Sequence, residues 1–187
     1  MPPKVKVTKN EIVQTALSLL RKHGIEAVNA RSIAAALNCS TQPVFSNFAT
    51  MEELQEDVAA AAYYLYLGFL QSEVERGKYP KYKAFGMAYI RFAKEEKELF
   101  RLLFMCDRKG KELAKTEDFE TSVEMLQSAN NITREKAELM HMEMWACVHG
   151  IATMLATSFL TLSWELISTM LSDVYQGIRD RHLSEEE

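Results

Sequence analysis

The sequence predicts an all-α protein, and three observations carry that reading. Apolar residues recur at spacings of three and four, capping residues stand just ahead of those stretches, and no segment alternates with period two over a useful length. Across 187 residues, 48% hydrophobic with 7 Gly and 4 Pro, there is apolar material for one compact domain or two small ones. That composition excludes collagen-like, low-complexity and wholly disordered chains. The elements then follow in order. Thr8-Lys-Asn-Glu11 has the capping-box form and opens a helix over 9–23, with Ile12, Ala16, Leu19 and Leu20 on its buried stripe and Gly24 as a left-handed stop. Asn29 caps a second, short helix with Ile33, Ala34 and Leu37 inside, ending near Asn38. Ser40 caps a third over 41–48, where Pro43 falls in the first turn and removes no needed donor. Thr50-Met-Glu-Glu53 is a second capping box, opening a long helix over 51–75 that Gly77 and Pro80 end. Helices over 82–94, 97–105, 119–129, 134–157 and 163–182 complete a bundle, with a polar loop through Gly110.

No apolar run reaches the roughly 18–20 residues of a membrane span, and the longest candidate, 151–162, is interrupted by Thr153, Thr157, Ser158 and Thr161. No membrane partner is expected. The stretch Met1-Pro-Pro-Lys-Val-Lys6 has no apolar core behind it of the kind a signal peptide needs, so a cytoplasmic location is expected. Cys39, Cys106 and Cys147 are odd in number and far apart, which fits reduced thiols and neither a disulfide framework nor a zinc ligand set.

The net charge of −4 is unevenly spread. Residues 1–50 carry six basic side chains against two acidic ones, whereas the remainder carries 16 against 24. A positive N-terminal segment on a negative body brings only that segment towards a polyanion. The two short helices joined by Asn38-Cys39-Ser40 make a helix-turn-helix at about 29–48, whose second helix turns Thr41, Gln42, Ser46 and Asn47 outward. Gln and Asn pair with adenine in the major groove, and Ser and Thr contact base or phosphate. Arg31 reaches guanine or a phosphate, and the arm through Lys4 and Lys6 adds phosphate or minor-groove contacts.

The run Gly24, Arg31-Ser-Ile-Ala34, Leu37-Asn-Cys-Ser40, Val44-Phe-Ser-Asn-Phe48, Met51-Glu-Glu-Leu54 closely resembles the TetR family of bacterial transcriptional regulators over about residues 8–55. In the C-terminal half, Trp145-Ala-Cys-Val-His149-Gly150 resembles the Trp-His-Gly pattern of one branch of that family. The resemblance implies a three-helix DNA-binding head over 6–66 and a helical domain over 67–187 that dimerises and binds an effector. Carried over by position, it implies DNA contacts at Arg31, Thr41, Gln42, Phe45, Ser46 and Asn47. Three departures matter. Phe45 stands where the family has a phosphate-binding tyrosine, Met51 replaces a phosphate-binding lysine, and Asn38 replaces the glycine of the turn, a position asparagine tolerates. DNA affinity then leans on Arg31, Lys4, Lys6 and Lys9.

The expected partners are a double-stranded DNA operator, a second copy of the chain packed through helices 134–157 and 163–182, and an unidentified small-molecule effector. Half-sites about 34–36 Å apart call for such a two-fold dimer. Effector binding would act through the long helix over 51–75. Tyr63, Tyr66, Phe69, Phe85, Tyr89, Phe104, Met140, Met144 and Trp145 are the candidate lining of an effector pocket suited to an apolar or amphipathic molecule. His149 reads as a hydrogen-bonded core histidine. Against catalysis, Glu138-Leu-Met-His141 is a lone Glu-x-x-His pair, whereas di-iron bundles use that unit twice with two further glutamates. No cofactor, metal or enzymatic activity is expected. A helical interaction module with a head that does not bind DNA is the alternative.

Overall fold

The computed structural model describes residues 7–107 and 117–184. They form nine α-helices and one short 3-10 turn, Ile25–Ala27. The helices are α1 (Lys9–His23), α2 (Ala30–Ala36), α3 (Gln42–Asn47), α4 (Met51–Glu75), α5 (Lys81–Glu95), α6 (Lys97–Phe104), α7 (Glu117–Asn130), α8 (Arg134–Ala156) and α9 (Trp164–Ser184). No strand occurs among the described residues. The all-α architecture, an N-terminal helix-turn-helix head followed by a helical C-terminal domain, is the one the sequence predicts.

Three helix ends differ in detail from expectation. Gly24 does end α1, with φ +80° and its N–H donating to the Leu20 carbonyl at 2.9 Å, but its ψ of 178° lies outside the left-handed helical well. The third helix is not capped by Ser40: it begins at Gln42, and Thr41 precedes it in helical dihedrals that leave its hydroxyl without a capping bond. At α4, Thr50 Oγ1 accepts from the Glu53 N–H at 3.2 Å, yet the Glu53 carboxylate accepts from Ala49 rather than Thr50, at 2.8 Å. The reciprocal box is complete at α1, where Glu11 Oε2 accepts from the Thr8 N–H at 2.8 Å.

The chain divides into two compact units. The first comprises residues 1–68 and 96–106, the second 69–95 and 107–187. A single boundary at 66/67 would put α6 in the C-terminal domain; instead α6 packs with the head, because Leu99 and Phe100 are fully buried and its start is tied to α1 by the Arg21–Glu96 ion pair. Burying two such side chains contributes about 1.5–3 kcal/mol each. The rest of the head core includes Ile12, Ala16 and Leu20 of α1, Ile33 and Ala34 of α2, Val44 and Phe48 around α3, and Leu54, Val58, Ala62 and Tyr66 at four-residue spacing on α4.

In the second unit α5 contributes Ala84, Met87, Ala88, Ile90, Phe92 and Ala93 to the core. Gly86 lets α8 and α9 come close: a Cβ there would meet Val148 Cγ2 at 3.3 Å and Leu171 Cδ1 at 3.5 Å. A further cluster joins Phe119, Val123 and Leu126 of α7 to Ala137 and Met140 of α8, with Tyr82 and Tyr175 against it. The buried carboxylate of Glu73 is answered by Arg76 at 2.9 Å and Arg91 at 3.1 Å, which removes the penalty of an unpaired buried charge. No helix among the described residues is long and apolar enough to cross a membrane.

Candidate nucleic-acid interface

Local chemistry builds the helix-turn-helix. Asn29 Oδ1 accepts from the Ser32 N–H at 3.0 Å and starts α2. The turn after α2 needs one left-handed residue, and Asn38 supplies it at φ +51° while the Cys39 N–H returns to the Ala34 carbonyl at 3.0 Å. Val44 and Phe48, four residues apart, are buried and anchor α3 from below. Gln42, Phe45 and Ser46 are therefore exposed on the opposite side, Phe45 with 58% of its surface in solvent. Thr41 is half-buried, and Arg31 is exposed on the first turn of α2. The structure brings these together on the head as two short helices with polar residues outward, the arrangement a major groove accepts.

Two expected contact residues are engaged within the head. The Asn47 side-chain amide donates to the Pro43 carbonyl at 2.8 Å and to the Val7 carbonyl at 3.4 Å. Lys9 Nζ lies 2.9 Å from Asp57 Oδ2 and 3.5 Å from Glu53 Oε1, above the Phe48 ring at 4.8 Å. The hydrogen bond to Asp57 leads in raising the Lys9 pKa, so the ammonium stays protonated with its charge shared by two carboxylates. Sequence reasoning missed Glu53 and Asp57 as partners of Lys9, because nothing in the primary structure brings residues 9 and 57 together. Ser46 Oγ donates to the Gln42 carbonyl at 2.8 Å, leaving its oxygen as an acceptor. Lys4 and Lys6 lie outside the described residues.

The candidate effector-lining residues divide between the two units. In the first, Tyr66 is buried edge-on against Phe104 at 5.2 Å, with Tyr63 at 5.8 Å. In the second, Phe69 meets Phe92 edge-on at 5.3 Å, Met140 and Met144 are buried, and Phe85 is half-buried beneath Lys81. Tyr89 and Trp145 converge on His149: the Tyr89 hydroxyl is 2.9 Å from Nδ1, and the Trp145 ring stacks on the imidazole at 4.9 Å and 15°. Burial lowers the His149 pKa and favours the neutral ring, a hydrogen-bonded packed histidine. One turn further along α8, Thr153 Oγ1 is buried with no hydrogen-bond partner among the described residues.

The Glu-x-x-His pair is engaged by other side chains. Glu138 accepts from Arg134 at 2.7 Å, and His141 Nδ1 lies 3.0 Å from the Tyr82 hydroxyl. Burial pushes the His141 pKa down to about 4 and raises that of Tyr82. Among the described residues no three His, Cys, Asp or Glu side chains gather as a metal set. The three cysteines are free thiols, Cys106 exposed and the others half-buried, and burial raises the Cys147 pKa, away from an activated thiolate.

A family profile described as a tetracyclin repressor-like, C-terminal domain matches residues 82–170. Among solved structures, a TetR-like transcriptional regulator from Rhodococcus sp. RHA1 is similar with a TM-score of 0.64 and 14% identity over 98% of each chain. A Rhodococcus sp. RHA1 protein of unknown function gives 0.68 and 20% over 97% of each. BioQ of Mycobacterium smegmatis gives 0.52 and 18% over 95% of this chain and 99% of that one. At these identities the structural likeness concerns the fold. No curated protein matches the sequence.

Proposed function

From a chain that has the fold of TetR-like regulators and carries a tetracyclin repressor-like C-terminal domain, we propose a sequence-specific DNA-binding transcriptional regulator, a cytoplasmic dimeric repressor released from a palindromic operator by a small ligand. The observation that carries the DNA-binding reading is α3: Val44 and Phe48 hold it down while Gln42, Phe45 and Ser46 are presented outward, beside a helix that exposes Arg31. Gln42 reads a base edge, Arg31 takes guanine or a phosphate, Thr41 and Ser46 add contacts, and Phe45 packs on sugar or a thymine methyl. Lys4 and Lys6 supply positive charge near the backbone, whereas the charge of Lys9, expected to join them, is met within the head by Asp57 and Glu53.

Dimerisation through α8 and α9 is supported by where the second unit leaves large apolar side chains exposed. Leu139 and Met142 are on α8, Phe159 and Leu160 on its connection to α9, and Leu166 on α9. An apolar or amphipathic ligand is supported by the aromatic and Met residues of the C-terminal domain, by the Tyr89–His149–Trp145 group and by the unpartnered Thr153 hydroxyl, which a polar atom of a ligand would satisfy. The test is selection of duplexes from a random pool by the wild type and by Arg31→Ala at stated salt. Enrichment of a palindrome that weakens in the variant is the expected result. No enrichment by the wild type at low salt overturns the reading in favour of an interaction module. Compounds of the stated class should then release the selected duplex, and a screen without release overturns the ligand part.

A further inference from the structure

The chain beyond residue 50 is net negative, yet residues 76–94 hold six basic side chains and no acidic one. Arg76 and Arg91 answer the buried Glu73 carboxylate, and Arg91 also reaches Glu95 at 3.5 Å. The four lysines differ. Among the described residues no carboxylate comes within ion-pair distance of Lys78, Lys81, Lys83 or Lys94, and each rests on an aromatic ring instead. Lys78 and Lys83 lie over Tyr79 at 5.3 and 5.1 Å, Lys81 over Phe85 at 5.9 Å, and Lys94 over Trp164 at 4.7 Å. Lys83 Nζ donates to the Ser168 carbonyl at 2.8 Å and to Ser172 Oγ at 2.7 Å, neutral acceptors that leave its charge uncompensated. On α5, Lys83 and Lys94 are separated by about three helical turns, so they share a face about 16 Å apart, and both lean on α9. Lys78 joins Lys83 through the Tyr79 ring, whereas Lys81 belongs to another side of α5.

We propose that the row Lys78, Lys83 and Lys94, along α5 and the start of α9, is a docking surface for the sugar-phosphate backbone of a duplex, distinct from the helix-turn-helix. It goes beyond the head reading and stands without it, since every residue of the row belongs to the second unit. Ammonium groups are compact point charges that meet phosphates whatever the base, and releasing the duplex's condensed counterions drives the contact. At 3.4 Å of axis per phosphate in each strand, a row of about 16 Å runs beside about five phosphates. The rings hold the lysine stems in place, so fewer conformations are lost on binding. Those rings are covered by the ammonium groups, which leaves them unsuited to the base stacking that single strands use. None of the large exposed apolar side chains falls within 76–94, so the row lacks the anchor of a protein partner and the apolar insertion of a membrane surface.

The experiment uses the full chain and a short duplex of arbitrary sequence. Lysine acetylation of the wild type, read residue by residue by mass spectrometry with and without duplex, should show Lys78 and Lys94 protected about threefold or more at about 50 mM salt. Binding of the same duplex is then measured at about 50 and about 200 mM salt for the wild type and for Lys78→Gln combined with Lys94→Gln. Lys83 is kept, because its bonds join α5 to α9. The double variant should flatten the salt slope by about 2, the share of two lysines, so that the wild type loses about tenfold more affinity than the variant over this range. A charge-matched control, Lys81→Gln combined with Lys136→Gln, should change the slope by less than about 0.5. If the double variant does not fold, the acetylation pattern of the wild type decides. Unprotected Lys78 and Lys94, or equal flattening in variant and control, overturns the inference. Protection by polyglutamate with none by the duplex also overturns it, in favour of an acidic protein partner. Failure of the wild type to enrich a palindrome from a random pool overturns the head reading alone and leaves this result standing.

Discussion

Arg31 and Lys9 are both cations in the first turns of head helices, and their surroundings separate them. Arg31 is exposed on α2, whereas Lys9 is held by Asp57 and Glu53. Arg31→Ala should lower operator affinity by about tenfold or more if it pairs with guanine, with loss confined to one base position, or uniformly with a salt slope smaller by about 1 if it meets phosphate. Fluorescence anisotropy across single-base operator variants distinguishes the two. A second residue-scale expectation concerns His141. Its pKa is lowered in the folded state from 6.5 to about 4 by burial, so folding favours the neutral ring. That contribution is fully present above the unfolded value of 6.5 and is lost progressively as pH falls through the window down to about 4. The melting temperature should drop between pH 7 and pH 5, and drop less in His141→Gln. Equal drops in both proteins would assign the acid sensitivity to other groups.

At the scale of elements, the α1 terminus depends on one backbone geometry. Gly24 has φ +80° and ψ 178°, a region that is essentially restricted to glycine, and an added Cβ would also lie 3.3 Å from Glu98 Oε2. Gly24→Ala and Gly24→Asn should each destabilise the protein by about 1–3 kcal/mol, measured by denaturant unfolding. Asn38 differs, because φ +51° lies in the left-handed helical region that asparagine visits. Asn38→Gly should change stability by no more than about 1 kcal/mol. A large loss there would mean that the asparagine side chain contributes to the turn beyond its backbone angles. The connection from α8 to α9 also uses a positive φ, +58° at Ser158, where the N–H groups of Phe159 and Leu160 return to the Met154 carbonyl at 2.9 and 3.4 Å. That closed turn holds Phe159 with 75% of its surface exposed.

For the whole molecule, the second unit concentrates its large exposed apolar side chains on α8, α9 and their connection. Self-association through these helices predicts that Leu139→Glu combined with Met142→Glu yields a monomer at micromolar concentration by sedimentation, with its helical circular dichroism retained. DNA binding should then fall steeply for a palindrome and little for a half-site. A variant that remains dimeric would place the interface elsewhere. The head carries its own open apolar groove between α1 and α4, lined by Val13, Leu17, Ala60 and Tyr64, so apolar exposure by itself does not mark the dimer surface. Continuity along paired helices is the stronger argument.

Periodicity and caps were sufficient to read the helices: Thr8 with Glu11, Asn29, and the four-residue spacing from Leu54 to Tyr66 are local signals, and local hydrogen bonds and one-sided burial are what make a helix. The outward side of α3 was legible in part: Val44 and Phe48 are four apart and leave Gln42 and Ser46 exposed, whereas Thr41 and Asn47, which the same spacing turns outward, are half-buried. The tertiary structure decided what depends on distant partners. α6 joins the head because Leu99 and Phe100 find their burial there, and Glu96 finds Arg21. Lys9 meets Asp57 across 48 positions and Asn47 meets Val7 across 40, pairings that no periodic signal encodes, since a side chain's hydrogen-bond partner is set by how helices pack and not by its own place along one of them.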